Sequence, residues 1–375
     1  MYKLEIDNIY NILGFILKTK NIEYIINFSL ICKEYNDVVK KRDLDKHIIY
    51  TSINMYNCFF LSITGLLYNF NYIDNNISKM DNIKNITDMS SISTIINNKI
   101  YNHCMFRTYS NKVYGFGKSL VQQLYNRLSS INNVYNNNEP LIKIYESEFK
   151  IKKIITSYYF SLIQTDKHLW LIGDIPNFNL NNYKSVKGSF IKFPIFIDLI
   201  KNEIIDIVCG YSHVLLLTVV GNVWSFGKGN KGQLGSGLHK SCKFPRIIKN
   251  LKKIIRIDAN GNHSCALDKM NNLWVWGNNS NYQLGINTNR IIYTPINIVK
   301  NVDYFSAGLN YNCILYKKKI IIIGKKKSKK KNISTIKIPT IKIYNIKINF
   351  NKVFCTTNDG NVYYLNNNNF QKIII

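Results

Sequence analysis

The stretch "WSFGKGNKGQLGSG", Trp224 to Gly237, supports two readings. Gly227, Gly229 and Gly232 have the G-x-G-x-x-G spacing of a dinucleotide loop and follow an apolar run, "NVWSF", that reads as a strand. Such a loop must open a helix whose N-terminus faces the phosphates. Here Gly232-Gln233-Leu234-Gly235-Ser236-Gly237 leads toward a proline-marked strand, with no amphipathic run between and no Gly-Lys-Ser/Thr. A repeat is the better explanation. "CGYSHVLLLTVVGNVWSFGKGNKGQLGSG", from Cys209, matches "ANGNHSCALDKMNNLWVWGNNSNYQLGIN", from Ala259, position for position. His213 aligns with His263, Trp224 with Trp274, Gly227 with Gly277, and Gln233-Leu234-Gly235 with Gln283-Leu284-Gly285. Gly227 recurs as Gly117, Gly173, Gly277 and Gly324, whereas Gly229 has no counterpart.

The pattern extends in both directions. "HCMFRTYSNKVYGFG" begins at His103, "YFSLIQTDKHLWLIG" at Tyr159, and "NCFFLSITGLLYNFN" at Asn57. Downstream lie "YNCILYKKKIIIIG" from Tyr311, one residue shorter, and "KVFCTTNDGNVYYLN" from Lys352. The markers that end these segments fall at 71, 117, 173, 227, 277, 324 and 366, so successive spacings run from 42 to 56. Pro140, Pro194, Pro245, Pro295 and Pro339 occupy one repeat position, and a short strand is expected after each.

Each unit reads as an apolar hairpin. Gly65, Gly221 and Gly360 sit at its turn, with Asn111 and Asn271 at the equivalent place, and both residue types tolerate positive φ. A strand-like stretch precedes each hairpin ("EIIDIVCG", "KKIIRIDAN") and a loop and short strand follow. That is a four-stranded sheet of about 50 residues, which cannot bury both faces alone. The expectation is a mainly β chain: a seven-bladed β-propeller over 49–375, preceded by a small helical domain over 1–48.

The pattern C-G-x-x-H, then G-x-V-W-S-F-G, then G-Q-L-G-x-G and a proline resembles the regulator-of-chromosome-condensation repeat, whose family forms seven-bladed propellers. The two central copies carry the resemblance; the first, second, sixth and seventh are degenerate. In the sixth, "KKKSKKK" (Lys325, Lys326, Lys327, Lys329, Lys330 and Lys331) replaces the Gln-Leu-Gly loop.

Within this frame the recurring residues read as structural. His103, His213 and His263 take one repeat position, where Asn57, Tyr159, Tyr311 and Lys352 stand in the other copies. Packing at a strand start explains them better than a metal site does. Trp170, Trp224, Trp274 and Trp276 all fall on the second hairpin strand and read as core between blades. Acidic residues are few and lie mostly outside the repeat motifs, and no nucleophile–base spacing stands out. No catalytic, cofactor or metal residue is expected.

Residues 1–48 fall outside the repeat. Ile9, Ile12, Leu13, Ile16 and Leu17 have helical spacing, and Ile25, Ile26, Phe28, Leu30 and Ile31 form a second apolar cluster. "LICKEY", Leu30 to Tyr35, and "RDLDKHI" resemble the second half of an F-box, without its opening Leu-Pro and with Tyr35 for its tryptophan. The resemblance implies a Skp-type adaptor and a cullin as partners, with Ile25, Leu30, Ile31, Cys32 and Tyr35 as anchors. The propeller is then the substrate receptor of a ubiquitin ligase. The propeller resemblance alone implies another role, guanine-nucleotide exchange on Ran at chromatin; a scaffold is the third reading. A helical cap on the propeller edge is the alternative to an F-box.

The bulk properties fit an intracellular chain, cytoplasmic or nuclear. The 375 residues include eight cysteines with no C-x-x-C pair, and the N-terminus, with Glu5 and Asp7, does not read as a signal peptide. The longest aliphatic run, Ile320 to Ile323, is far too short to span a membrane. The net charge of +28 has two readings. Lys, Asn, Ile and Tyr are residues of AT-rich codons, so the excess reads as drift in an AT-rich protozoan genome; a functional basic face, with the lysine run as its candidate patch, is the other.

Overall fold

The computed structural model describes residues 48–53, 57–62, 65–71, 76–80, 86–96, 99–117, 142–173, 185–186, 190–193, 200, 203–324, 333–337, 343–349, 352–357, 361–366 and 369–373. The helical reading of 1–48, with Ile25, Leu30, Ile31, Cys32 and Tyr35, and the lysine run from Lys325 to Lys331 lie outside them.

The described strands form seven antiparallel sheets. Six are four-stranded meanders in chain order, each a propeller blade. The fourth sheet shows the unit: Ile204–Cys209, His213–Thr218, Val223–Gly227 and Cys242–Ile247. The third sheet departs from it. Beyond Ile151–Thr156, Phe160–Thr165, Leu169–Gly173 and Phe190–Phe193, a fifth strand, Ser185–Val186, pairs with Phe190–Phe193 from the outer side.

Burial explains the hairpin composition. The second strand of a blade packs on both faces, so His213–Thr218 and His263–Asp268 are buried at every position. Each neighbouring pair of sheets shares an apolar cluster. Phe160, Leu162 and Leu171 of the third sheet meet Ile207, Val214 and Phe226 of the fourth. Phe60 and Phe70 of the first sheet meet Phe354, Val362 and Ile373 of the last, which closes the ring. The first strands of neighbouring sheets contact one another, so they form the inner wall.

The hairpin turns follow the sequence reading. Gly65, Asn111, Gly221 and Asn271 have φ of 80°, 55°, 81° and 59°. Two details differ. Phe160, not Tyr159, pairs with Gly173 as His213 pairs with Gly227, because the third hairpin is one residue shorter, as the sixth is. Pro245 and Pro295 lie inside the fourth strand, Cys242–Ile247 and Ile292–Val299, rather than before it. Both sit on the outermost strand of their sheet beside a register shift, where a missing N–H breaks no ladder.

Candidate functional site

The glycine stretch forms a latch between blades. Residues 228–241 are turns and bends with no helix, so no helix N-terminus faces a phosphate. Instead the loop reaches the next blade. Trp276 Nε1 donates to Gln233 O at 2.9 Å, and Gly237 N donates to Tyr293 O at 2.9 Å. A Cβ on Gly235 would lie 2.9 Å from Trp276 Nε1, and one on Gly232 2.7 Å from Ile292 O. Gln233 and Gln283 fold their side chains back, each accepting a loop N–H through Oε1. Gly229, which has no repeat counterpart, is still sterically required, because a Cβ there would lie 2.0 Å from Lys240 O.

The histidines belong to the same latch. His213 Nε2 lies 2.8 Å from Ser264 Oγ, and Ser264 Oγ donates to Gln233 O at 2.9 Å. One blade on, His263 Nε2 lies 2.9 Å from Asn312 Oδ1, and Asn312 Nδ2 donates to Gln283 O at 2.8 Å. The oxygen in each case accepts, so each histidine carries its proton on Nε2. His103 Nε2 meets Ser161 Oγ in the third sheet at 3.2 Å. Burial pushes His103 and His213 down to about 3 and His263 to about 4, so all three are neutral. They stand in separate blades, and among the described residues no group of three His, Cys, Asp or Glu is placed to hold a metal. Of the tryptophans, Trp276 is fully buried between blades, while Trp170, Trp224 and Trp274 are partly exposed.

The inner wall carries a polar belt that motif comparison overlooks. Asp206, Arg256, Tyr304, Lys153 and Asn345 each sit seven residues before the first residue of their hairpin. Asp88 takes the same place after an insertion that lengthens Ile86–Ile96. Lys153 Nζ pairs with Asp206 and donates to Ile207 O at 2.9 Å. Arg256 donates to the Tyr304 hydroxyl with its guanidinium 3.7 Å from that ring's centroid, and the hydroxyl donates to Asn345 Oδ1. One layer along, Asp258 Oδ2 accepts Ala307 N–H of the next sheet at 3.0 Å, as Ser90 Oγ accepts Thr156 N–H at 2.9 Å. The inner strands do not pair with each other, so these side chains supply the missing acceptors.

The belt shares one electrostatic environment. Burial lowers the Lys347 pKa against the attraction of Asp258, and Arg256 and Lys153, from other sheets, lower it further. Burial also pulls on Lys153, but Asp206 and Asp88 more than offset it and hold its pKa above the ordinary value. Burial raises Asp88, with Arg107 and Lys153 opposing. Three acids, Asp88, Asp206 and Asp258, thus face three bases, Lys153, Arg256 and Lys347, in a chain of net charge +28. These three acids lie on the first strands of their sheets, away from the motif residues of the hairpin. The charge excess therefore lies outside the belt.

One face of the ring carries the hairpin turns and the entry into each inner strand. Hydrogen bonds tie these together within a blade, Val219 N to Glu203 O and Lys269 N to Lys253 O, and across blades, Ile254 N to Gly221 O and Val302 N to Asn271 O, at 2.9 to 3.0 Å. On it stand Ile205, Val219, Val220, Ile255 and Met270, from 52% exposed at Ile205 to 68% at Met270.

Comparison with known proteins supports the repeat. A family model described as "Regulator of chromosome condensation (RCC1) repeat" matches residues 220–267, and a second of the same description matches 204–233 and 254–283. Residues 204–283 carry RCC1 repeats. The chain is similar to the RCC1 domain-containing protein RUG3, mitochondrial, of Arabidopsis thaliana, 36% identical over 131 residues, 34% of this chain and 29% of that protein. It is similar to the Protein RCC2 homolog of Xenopus laevis, 37% identical over 110 residues, 28% of this chain and 21% of that protein. The chain thus matches less than a third of the length of either RCC1-type relative. Among solved structures, Prp20p from Saccharomyces cerevisiae superposes with a TM-score of 0.60 at 18% identity, over 86% of this chain and 83% of that one, a likeness of fold.

Proposed function

We propose that this chain is a protein-interaction propeller of the RCC1 type. The observation that carries the reading is the exposed aliphatic band of Ile205, Val219, Val220, Ile255 and Met270 on a face that hydrogen bonds hold rigid. The recurring polar residues are engaged in holding blades together, which leaves the surface for function. The five-stranded third sheet counts as a blade, so that the propeller has seven.

The finer reading is an F-box substrate receptor. It rests on the sequence from Leu30 to Tyr35, with Ile25, Leu30, Ile31, Cys32 and Tyr35 as anchors for a Skp-type adaptor within a cullin ligase. Co-purification of the full chain with that adaptor, abolished by Leu30→Asp or Ile31→Asp, is the expected result. An unaffected complex, or none, removes this role and leaves the interaction propeller.

A second reading has its own support. Prp20p, which shares the fold, has binding properties toward Gsp1p and histones. Accelerated nucleotide release from a Ran-type GTPase by the purified chain would establish exchange activity here. Release at the uncatalysed rate would exclude it.

A further inference from the structure

The aliphatic band has a defined border. Ile205 and Ile255 occupy one position of the inner strand, and the third and sixth sheets place Lys152 and Asp303 there. At the turns, Val219-Val220 and Lys269-Met270 correspond to Asp166-Lys167 and Lys317-Lys318. The apolar surface therefore covers the fourth and fifth blades and stops at charged residues on both sides. Nothing in a tight turn selects Val220 or Met270, because solvent-exposed turn positions accept polar residues readily.

The border is strongly basic toward the sixth blade. Lys252, Lys253, Lys269, Lys300, Lys317 and Lys318 are exposed on the turns and entries around the band. The acids nearby are few and mostly engaged. Asp268 accepts the Met270 and Asn272 N–H groups and Trp274 Nε1 at 2.9 Å, and Glu203 pairs with Lys152 at 2.9 Å. Asp303 is exposed. An aliphatic centre with a lysine rim complements a segment that carries apolar side chains among carboxylates.

We propose that the band of Ile205, Val219, Val220, Ile255 and Met270 docks an acidic, amphipathic segment of a protein partner; this rests on the interaction-propeller reading. Nucleic acid fits less well. Its bases seek aromatic or guanidinium planes to stack on, and the band offers only Ile, Val and Met. Hydrogen bonds within and between the blades fix the turns, so docking requires little reordering of this face.

The test uses the full chain and a short labelled peptide in which leucine and phenylalanine are spaced among glutamate and aspartate. Fluorescence anisotropy should show saturable binding that weakens as salt is added. The double variant V220D/M270D should weaken it about tenfold, and K252E/K269E about as much. These side chains are exposed, so thermal unfolding of the variants should match wild type. A peptide with serine for leucine and phenylalanine should also lose about tenfold. The proposal is overturned if the peptide does not bind, if the serine peptide binds equally, or if V220D/M270D leaves binding unchanged. It is also overturned if the variants lose only duplex DNA or only phosphatidylserine vesicles. A cellular partner that co-purifies equally with wild type and V220D/M270D removes this face and leaves the interaction-propeller reading intact.

Discussion

His213 donates through Nε2 to Ser264 Oγ, 2.8 Å away in the next blade, and Ser264 passes its own hydrogen to Gln233 O, back in the blade of His213. One hydroxyl closes a loop between a strand and the glycine-rich stretch that leaves it. Ser264→Ala removes the acceptor of a buried imidazole N–H and the donor to a buried carbonyl. The expected loss is about 1–3 kcal/mol, read by urea denaturation. Trp276 Nε1 still donates to Gln233 O in that variant, so the carbonyl keeps one partner. A change below about 0.5 kcal/mol would mean the latch is incidental.

The latch also makes stability depend on pH. The folded chain keeps His103 and His213 neutral down to about 3 and His263 to about 4, against an ordinary value of 6.5. His263 lies beside His213 and depresses it further, while Asn312 and Asp258 pull His263 back up. Between pH 6.5 and about 4 the unfolded chain therefore binds more protons than the folded one, and stability falls as pH falls. Each histidine contributes a loss of about 1.4 kcal/mol between pH 7.5 and 5.5. Unfolding midpoints across this range should show a steep slope in wild type and a slope reduced by about a third in His213→Gln. Parallel slopes would show that another group binds the protons.

Backbone geometry separates the glycines. Gly227 has φ of 109°, and a Cβ there would lie 2.5 Å from Ser212 O, a carbonyl held by Lys228 N at 2.7 Å. Gly277 repeats this, with φ of 104° and Asn262 O at 2.6 Å. Gly237 has φ of 78°, but the nearest atom to its Cβ position is Thr294 Cγ2 at 3.4 Å. Gly227→Ala and Gly277→Ala should each cost at least about 2 kcal/mol, and Gly237→Ala about 1 kcal/mol. Thermal unfolding ranks the three, and equal losses would contradict the steric account.

The hairpin, its turn and the latch glycine were legible in the sequence because residue identity recurs there: Gly227, Gly277 and Gly324 meet the same backbone constraint in each copy. The belt was harder to read for the opposite reason. Asp88, Lys153, Asp206, Arg256, Tyr304 and Asn345 share a place but no single residue type, since Lys153, Arg256 and Tyr304 each complement a neighbour rather than match it. Its signal, at every position but Asp88, was the constant offset to the hairpin, which an alignment by identity passes over. Tyr159 was misplaced by one position because a shorter hairpin keeps its strands and loses only a turn residue. The exposed band left little trace because Val219 and Val220 extend the apolar strand before them, where only burial distinguishes end from core, and Met270 stands singly between Lys269 and Asn271.

The belt makes a last prediction about how the blades are coupled. Lys153 of the third sheet and Asp206 of the fourth form a partly buried ion pair, and Lys153 also donates to Ile207 O. Asp206→Asn leaves the Lys153 ammonium near Lys347 and Arg256 with less countercharge, and Lys153→Met strands the Asp206 carboxylate. Each single change should cost about 2 kcal/mol. The double variant should cost clearly less than the sum, because neither charge is then left unpaired. Added salt should reduce the coupling only weakly, since the pair is shielded from bulk ions. A double-mutant cycle by urea denaturation at two salt concentrations measures both quantities. Additive losses would mean that Lys153 and Asp206 act separately and that the inner wall is a row of independent contacts, not a belt.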